Sequence, residues 1–208
     1  MWQDVALFLA AYLLGSIPFA YLFTKATTGR DLRLEHEGNV GTRNAWRTAG
    51  PLAGALTLLL DGGKGAAAYW LGRRWGSSPL TLYWVALGLM LGHGFPVWLG
   101  WRGGKGLAAA CGFLSQIWPL PMLGATAIFL AARLLVPSFD LSFAIGALAF
   151  FIFTLLAGND LAGALLIVFT LGLAGLKRLV DLPYERRTLA SHNHAEAPLA
   201  QRHPHNGC

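Results

Sequence analysis

Apolar residues in this chain form long runs that short polar stretches separate. Seven apolar segments are visible, at residues 3–24, 51–72, 80–99, 105–118, 120–136, 139–157 and 160–177. Because about 20 apolar residues cross a bilayer as a helix, this pattern predicts an all-α integral membrane protein with about seven transmembrane helices. The segment 105–118 is short for a straight crossing, so we expect a tilted or re-entrant helix that ends at Pro119 and Pro121.

The composition agrees with a membrane protein. Of the 208 residues, 55% are hydrophobic and 12% are charged, whereas an average soluble domain has about 25% charged residues. The mean hydropathy is +0.50. The length predicts one membrane domain, residues 1–180, and a polar tail, residues 181–208, that we expect to be disordered. The start of the chain shows neither a clear basic region nor a clear cleavage site, so we expect the first apolar segment to be retained.

The basic residues are divided unequally between the polar stretches. If the N-terminus is outside, then the segments on the inside are 25–50, 100–104, 137–138 and the tail after 177, and the arginines on the outside are Arg73 and Arg74. This division satisfies the positive-inside rule and predicts a cytoplasmic C-terminus. The net charge of +6 therefore reflects topology and contact with anionic lipid, and we expect no nucleic-acid partner. The tail contains four histidines, His192, His194, His203 and His205, that could bind a metal, but a solvated, disordered end is the favoured interpretation because no acidic or cysteine partner is arranged beside them.

The first of three polar clusters is the loop at residues 29–50, with the sequence GRDLRLEHEGNVGTRNAWRTAG. Glycines permit backbone conformations that other residues avoid, amides donate and accept hydrogen bonds, and guanidinium groups suit phosphate. The candidate residues with these properties are Asn39, Gly41, Arg43, Asn44 and Arg47. The alternative interpretation is an ordinary solvated loop.

The second cluster, DGGKG at residues 61–65, interrupts an apolar segment. A charged residue at the centre of a membrane helix costs about 2.5–3.5 kcal/mol on insertion scales. Asp61 and Lys64 are three residues apart and can face each other on a helix. They form either a self-neutralising pair that packs the bundle or one wall of a polar site. The adjacent glycines would let another helix approach closely.

The third cluster lies at residues 92–106, GHGFPVWLGWRGGKG, immediately before an apolar run. Its glycines predict uncovered backbone N–H groups next to a lysine, at the start of a helix where anions bind favourably. A glycine follows the lysine where a nucleotide-binding loop requires serine or threonine, so nucleotide hydrolysis is not predicted. The candidate residues are His93, Gly103, Gly104, Lys105 and Gly106. A plain glycine-rich hairpin, with His93 as a structural group, is the alternative.

These clusters occur in an order that resembles a known enzyme family. The stretches GSIPFAYLFTK at 15–25, EGNVGTRNAWRTAG at 37–50, DGGKG at 61–65 and GHGFPVWLGWRGGKGLA at 92–108 are similar to the acyl-phosphate glycerol-3-phosphate acyltransferase family of the bacterial PlsY type. The resemblance implies a seven-helix enzyme of the bacterial inner membrane, with its active site at the cytoplasmic face and without a cofactor. It also implies transfer of a fatty acyl group from acyl-phosphate to the 1-hydroxyl of glycerol 3-phosphate, which gives lysophosphatidic acid and phosphate.

The residue types and the resemblance together give roles for the candidate residues, and the resemblance implies that Asn39 and Asn44 shape the first loop. The catalytic candidates are Arg47, Lys105 and His93. The candidates for binding substrate phosphate are Asn39, Gly41, Arg43, Asn44, Lys64, Gly103, Gly104 and Gly106, with Asp61 as polar support. Arg47 would bind the phosphate of the acceptor, and Lys105 with its glycines would bind the phosphate of the donor. No metal is implied.

The chain departs from the family pattern at four positions. Glu37 replaces a serine and Arg43 replaces a threonine of the first motif, whereas Gly172 and Gly175 replace a histidine and an asparagine of the third. A carboxylate would repel the phosphate of the acceptor unless Arg43 pairs with it. Two alternatives therefore stay open, namely a divergent enzyme that uses another acceptor and a catalytically weak homologue that binds lipid.

Overall fold

The computed structural model describes residues 2–78, 80–158 and 161–196, with side chains up to residue 190. Within these residues it contains helices and no β-strand, which confirms the all-α prediction. The helices are α1 (Trp2–Gly15), α2 (Phe19–Thr28), α3 (Thr42–Ala49), α4 (Pro51–Trp75), α5 (Thr81–Gly94), α6 (Leu107–Ser115), α7 (Pro119–Leu135), α8 (Phe139–Leu156) and α9 (Leu161–Glu196). Short 3-10 turns lie at Leu32–Leu34 and Val97–Leu99.

The predicted apolar segments all coincide with helices, but fewer of these helices meet the length and apolarity of a membrane span. Four segments of the described chain do so: Trp2–Thr28, Thr81–Leu99, Phe139–Leu156 and Leu161–Ala190. The prediction of about seven spans is therefore wrong by this measure. The helix α6 has nine residues and α7 has seventeen, while Asp61 and Lys64 make α4 too polar.

The last helix is longer than the sequence predicts. The predicted apolar segment ends at residue 177 and the predicted disordered tail begins at residue 181, whereas α9 continues as one helix to Glu196 with Pro183 inside it. Residues 197–208, with His203 and His205, lie outside the described part of the chain, as do the side chains of His192 and His194.

Three of the polar stretches predicted to be inside meet at one end of the bundle, which we call the loop end. Arg33 donates a hydrogen bond of 3.1 Å to the carbonyl of Leu99, and Tyr184 on α9 donates one of 2.7 Å to the carbonyl of Arg33. Asp140 at the start of α8 pairs with Arg178 of α9 at 2.6 Å. The grouping of these loops, inferred from charge alone, is therefore present in the fold.

The opposite end of the bundle joins the start of α1 to the connection between α4 and α5. Gln3 donates to the carbonyl of Trp75, and Thr81 donates to Asp4 at 2.7 Å. Arg73 and Arg74 lie in the last turn of α4, so they belong to this end and are separated from the basic residues of the loop end.

Glycines bring α4 and α6 into direct backbone contact. A Cβ atom added at Gly65 would lie 2.0 Å from the carbonyl oxygen of Ala109, and one added at Gly112 would lie 2.0 Å from that of Gly62. These distances are far inside van der Waals contact, so no larger residue fits there without a shift of the backbone. The close helix approach predicted from the DGGKG stretch is confirmed.

We expect Gly65→Ala to destabilise the bundle. The added methyl group forces α4 and α6 apart, and overpacking of this kind costs about 1–3 kcal/mol, so the thermal unfolding midpoint in detergent should fall by several degrees. Gly63→Ala is the matched control, because a Cβ at Gly63 meets no described atom within 4 Å. An equal fall of the midpoint in both variants would contradict the packing explanation.

Candidate active site at the loop end

The first loop, residues 29–50, folds around the amide of Asn44. The Nδ2 of Asn44 donates to the carbonyls of Leu32 at 3.1 Å, Glu35 at 3.0 Å and Asn39 at 3.0 Å. The side chain is buried, and these bonds use its donor capacity inside the loop. Asn44 therefore shapes the loop, and its contact with a substrate phosphate stays a prediction.

Glu37 faces two arginines of the same loop. Its Oε1 lies 3.1 Å from Nη2 of Arg43 and accepts a hydrogen bond of 2.8 Å from Nη1 of Arg47. Two guanidinium groups against one carboxylate leave this Glu37–arginine cluster with one net positive charge. The side chains of Arg43 and Arg47 remain 43% and 42% exposed, so both can still meet a ligand from solution. The sequence leaves open whether Arg43 pairs with Glu37 and so compensates for its negative charge. The structure contains this pair.

Asp31 and Arg33 join the first loop to the loop that follows α5. Asp31 caps the 3-10 turn by accepting from the Arg33 backbone at 3.0 Å, and its other carboxylate oxygen lies 2.6 Å from Nη2 of Arg33. The hydrogen bond from the Arg33 side chain holds the pKa of Asp31 below its usual value. This carboxylate therefore stays ionised at neutral pH and orients Arg33 toward the carbonyl of Leu99.

The charged pair of α4 is buried inside the bundle. Lys64 and Asp61 lie 2.8 Å apart, and both are buried. The Nζ of Lys64 also donates to the carbonyls of Gly15 at 2.9 Å and Ile17 at 3.0 Å, where the chain breaks between α1 and α2 before Pro18. Two hydrogen bonds to backbone carbonyls and the charge of Asp61 therefore hold the ammonium group inside the bundle. The geometry favours the packing interpretation, and phosphate binding by Lys64 stays a prediction.

The second loop, residues 95–106, folds back on the end of α5. The N–H groups of Gly103 and Gly104 donate to the carbonyls of Gly94 and His93, each at 3.1 Å. The expectation that these two N–H groups are uncovered is therefore wrong, because both donate backbone hydrogen bonds within the hairpin. A Cβ at Gly104 would lie 2.4 Å from both Nε2 of His93 and the carbonyl oxygen of Val40, so close packing requires glycine there.

His93 lies beneath the second loop instead of at its surface. The side chain is buried, its Nε2 faces Gly104, and its Nδ1 is 3.9 Å from Oδ1 of Asp61. This placement brings His93 together with the α4 pair and supports the backbone of the loop. A catalytic role for His93 stays a prediction.

The start of α6 is the part of the second loop that remains suited to an anion. Gly106 has a φ of +81°, a left-handed conformation that favours glycine, and it turns the chain into α6 at Leu107. The first N–H groups of a helix have no acceptor within the helix and carry partial positive charge. Lys105 comes two residues before this helix in the chain, and its ammonium group is 2.9 Å from Oε1 of Glu185.

The helix α9 faces both loops with a row of polar side chains that sequence reasoning largely missed. The members of this α9 stripe are Lys177, Asp181, Glu185 and Thr188. Lys177 pairs with Asp181, and its Nζ lies 4.8 Å from the centre of the Phe95 ring. The spacing of four residues from Lys177 to Asp181 to Glu185 places these charges on one helical face, which is the signal that would have revealed the stripe.

The altered positions of the third motif lie on another face of α9. Gly172 and Gly175 are exposed, and a Cβ at either would meet no described atom within 4 Å. Side chains at these two positions would point away from Lys177 and Glu185. The polar contacts of α9 with the two loops are therefore made by residues other than those at the altered positions.

Comparisons with known proteins cover most of the chain. A family model described as glycerol-3-phosphate acyltransferase matches residues 5–180. The chain belongs to this family. Glycerol-3-phosphate acyltransferases of Syntrophomonas wolfei and Gluconobacter oxydans are 44% and 42% identical to it over 56% and 64% of its length. These alignments span 60% and 64% of the two relatives, so they cover less than two thirds of each.

Two solved structures of the acyltransferase family share the fold. They are the glycerol 3-phosphate form and the lysophosphatidic acid form of PlsY, an integral membrane glycerol 3-phosphate acyltransferase. The TM-scores are 0.77 and 0.73 at 29% and 27% identity, and each match covers 91% of this chain and 93% of the other. The helical arrangement is thus that of an integral membrane protein.

Proposed function

We propose that this chain is a membrane enzyme that transfers a fatty acyl group from acyl-phosphate to the 1-hydroxyl of glycerol 3-phosphate. The products are lysophosphatidic acid and phosphate. The observation that carries the proposal is the presence of two cationic groups at the loop end, namely the Glu37–arginine cluster and Lys105 at the start of α6. Membership of the acyltransferase family and the ligands of the two PlsY forms support these substrates.

In the proposed reaction, Lys105 and the first N–H groups of α6 hold the phosphate of the donor. The hydroxyl of the acceptor attacks the acyl carbon, an ester bond forms, and the bond between that carbon and the phosphate oxygen breaks. A phosphate oxygen of a substrate takes the hydroxyl proton. Because acyl-phosphate is already activated, orientation and fixed positive groups supply the rate enhancement, and neither a protein nucleophile nor a cofactor is needed.

The Glu37–arginine cluster supports a phosphate-bearing acceptor. A free Glu37 carboxylate would favour a neutral or cationic acceptor, but here it pairs with both Arg43 and Arg47. The remaining positive charge and the planar guanidinium groups suit the phosphate of glycerol 3-phosphate. We therefore favour this acceptor over the divergent alternatives.

We also propose that the loop end faces the cytoplasm from the inner membrane of a bacterium, with the N-terminus outside. The positive-inside rule supports this orientation, because Arg73 and Arg74 are the arginines of the opposite end among the described residues. Exposed tryptophans, which favour the headgroup region, occur at both ends, for example Trp98 and Trp101 in the second loop and Trp75 at the end of α4.

An acyl-transfer assay tests the function. Purified protein is given acyl-phosphate with glycerol 3-phosphate, glycerol or ethanolamine, and both phosphate release and acylated product are measured. We expect lysophosphatidic acid and equal amounts of phosphate with glycerol 3-phosphate. Transfer to another acceptor alone would support a divergent enzyme. Binding of acyl-phosphate without transfer to any acceptor would support a lipid-binding homologue.

A further inference from the structure

We propose that Tyr184 of α9 is a positioning residue that holds the first loop and the second loop in register for acyl transfer. The inference rests on the proposed function, because that function assigns the acceptor to the first loop and the donor to the second. It gives α9 a role that does not depend on the altered positions Gly172 and Gly175.

Tyr184 contacts the first loop through both its hydroxyl group and its ring. The hydroxyl donates a hydrogen bond of 2.7 Å to the carbonyl of Arg33. The ring lies against Gly38, where an added Cβ would be 2.7 Å from Cε1 of Tyr184. Gly38 has a φ of +68°, and it directly follows Glu37 in the chain. The ring therefore supports the backbone that presents the Glu37–arginine cluster.

The same ring also contacts the second loop. The guanidinium carbon of Arg102 lies 4.8 Å from the centre of the Tyr184 ring, and Nη1 of Arg102 is 3.5 Å from the hydroxyl oxygen. Arg102 immediately precedes the glycines that lead to Lys105. The next residue of α9, Glu185, pairs with Lys105 itself at 2.9 Å. Two consecutive residues of one helix thus contact both loops.

This bridge affects the reaction because the two substrates are held by different loops. Acyl transfer requires the acceptor oxygen and the acyl carbon to be about 3–3.5 Å apart and aligned. A small displacement of one loop relative to the other leaves each set of phosphate contacts intact but misplaces the reacting atoms. Loss of the bridge should therefore lower kcat more than it changes either KM, and water should compete better for the bound acyl-phosphate.

The experiment compares Tyr184→Phe with the wild-type enzyme in the acyl-transfer assay. Tyr184→Phe removes the hydroxyl group and retains the ring, so we expect kcat to fall about threefold to tenfold, as for the loss of one hydrogen bond. The ratio of phosphate released to lysophosphatidic acid formed should rise above that of the wild-type enzyme. Arg102→Ala removes the contact from the other loop and should raise the same ratio.

Tyr83→Phe is the matched control, because Tyr83 donates a hydrogen bond of 2.8 Å to the carbonyl of Ala162 on the same helix, at the opposite end of the bundle. We expect it to leave the product ratio unchanged. The inference is overturned if Tyr184→Phe and Arg102→Ala both keep the wild-type kcat and product ratio, even where the unfolding midpoint falls. A wild-type enzyme without acceptor-dependent transfer would instead overturn the proposed function.

Discussion

Replacement of Lys105 by alanine is expected to lower kcat/KM for acyl-phosphate by about 10²–10³-fold, the range seen when one preorganised donor to a developing anion is removed. Lys105 supplies the positive charge that comes directly before α6 in the chain, and the proposed reaction places the leaving phosphate, which gains negative charge, at this point. Initial rates measured against the concentration of acyl-phosphate, at saturating glycerol 3-phosphate, give this value directly.

A control is needed because Lys105→Ala also leaves Glu185 without its partner. An uncompensated, largely buried carboxylate destabilises a fold by itself, and the side chain of Glu185 is only 10% exposed. We expect the double variant Lys105→Ala/Glu185→Gln to recover the unfolding midpoint but not the activity. Recovery of both would mean that Lys105 acts through the fold, and full activity of Lys105→Ala alone would contradict the placement of the donor.

The second large effect is expected from the Glu37–arginine cluster. Arg43→Thr alone should lower kcat/KM for glycerol 3-phosphate by about tenfold or more, because the net charge of the cluster falls from one positive charge to zero and a phosphate then meets an under-compensated carboxylate. Adding Glu37→Ser to Arg43→Thr should restore most of the activity. The double variant has the serine and the threonine that the family pattern has at these positions, and it regains the net positive charge.

The cycle of single and double variants separates the effect of the cluster's charge on activity from an effect of the substitutions on the stability of the loop. Coupled charges in contact show interaction energies of about 0.5–3 kcal/mol, and the partial exposure of both arginines favours the lower part of this range. Arg30→Gln is the control, because it breaks a 3.3 Å pair with Glu35 elsewhere in the same loop. An equal loss of activity in Arg43→Thr and in the double variant would exclude charge compensation as the role of Arg43.

The helices and the grouping of loops could be predicted because they depend on local composition. Every apolar segment coincides with helix, although the first, 3–24, is divided into α1 and α2. The unequal division of arginines indicated which loops share an end. The number of membrane spans could not be predicted from the apolar runs, because a run does not show at which residue its helix begins. The run that starts at residue 105, for example, becomes helical only after the left-handed turn at Gly106.

Within the site, the predictions that failed depend on contacts between distant residues. The backbone N–H groups of Gly103 and Gly104 looked free because their acceptors, Gly94 and His93, are about ten residues earlier in the chain. The helical end of α9 looked like a disordered tail because the residues that hold it include Arg33, 151 positions away from Tyr184. The Glu37–Arg43 contact could be predicted from the sequence, because two residues of opposite charge both depart from the family pattern in the same short motif.

The backbone contact between α4 and α6 has a consequence for the energetics of catalysis. A layer of side chains between two helices can relax when charge develops nearby, and this relaxation adds reorganisation energy to the barrier. The glycines at Gly62, Gly65 and Gly112 remove that layer, so the first turn of α6 cannot easily reorient its N–H dipoles. For the proposed acyl transfer, the work of aligning those dipoles would be completed during folding and would not be repeated in each turnover.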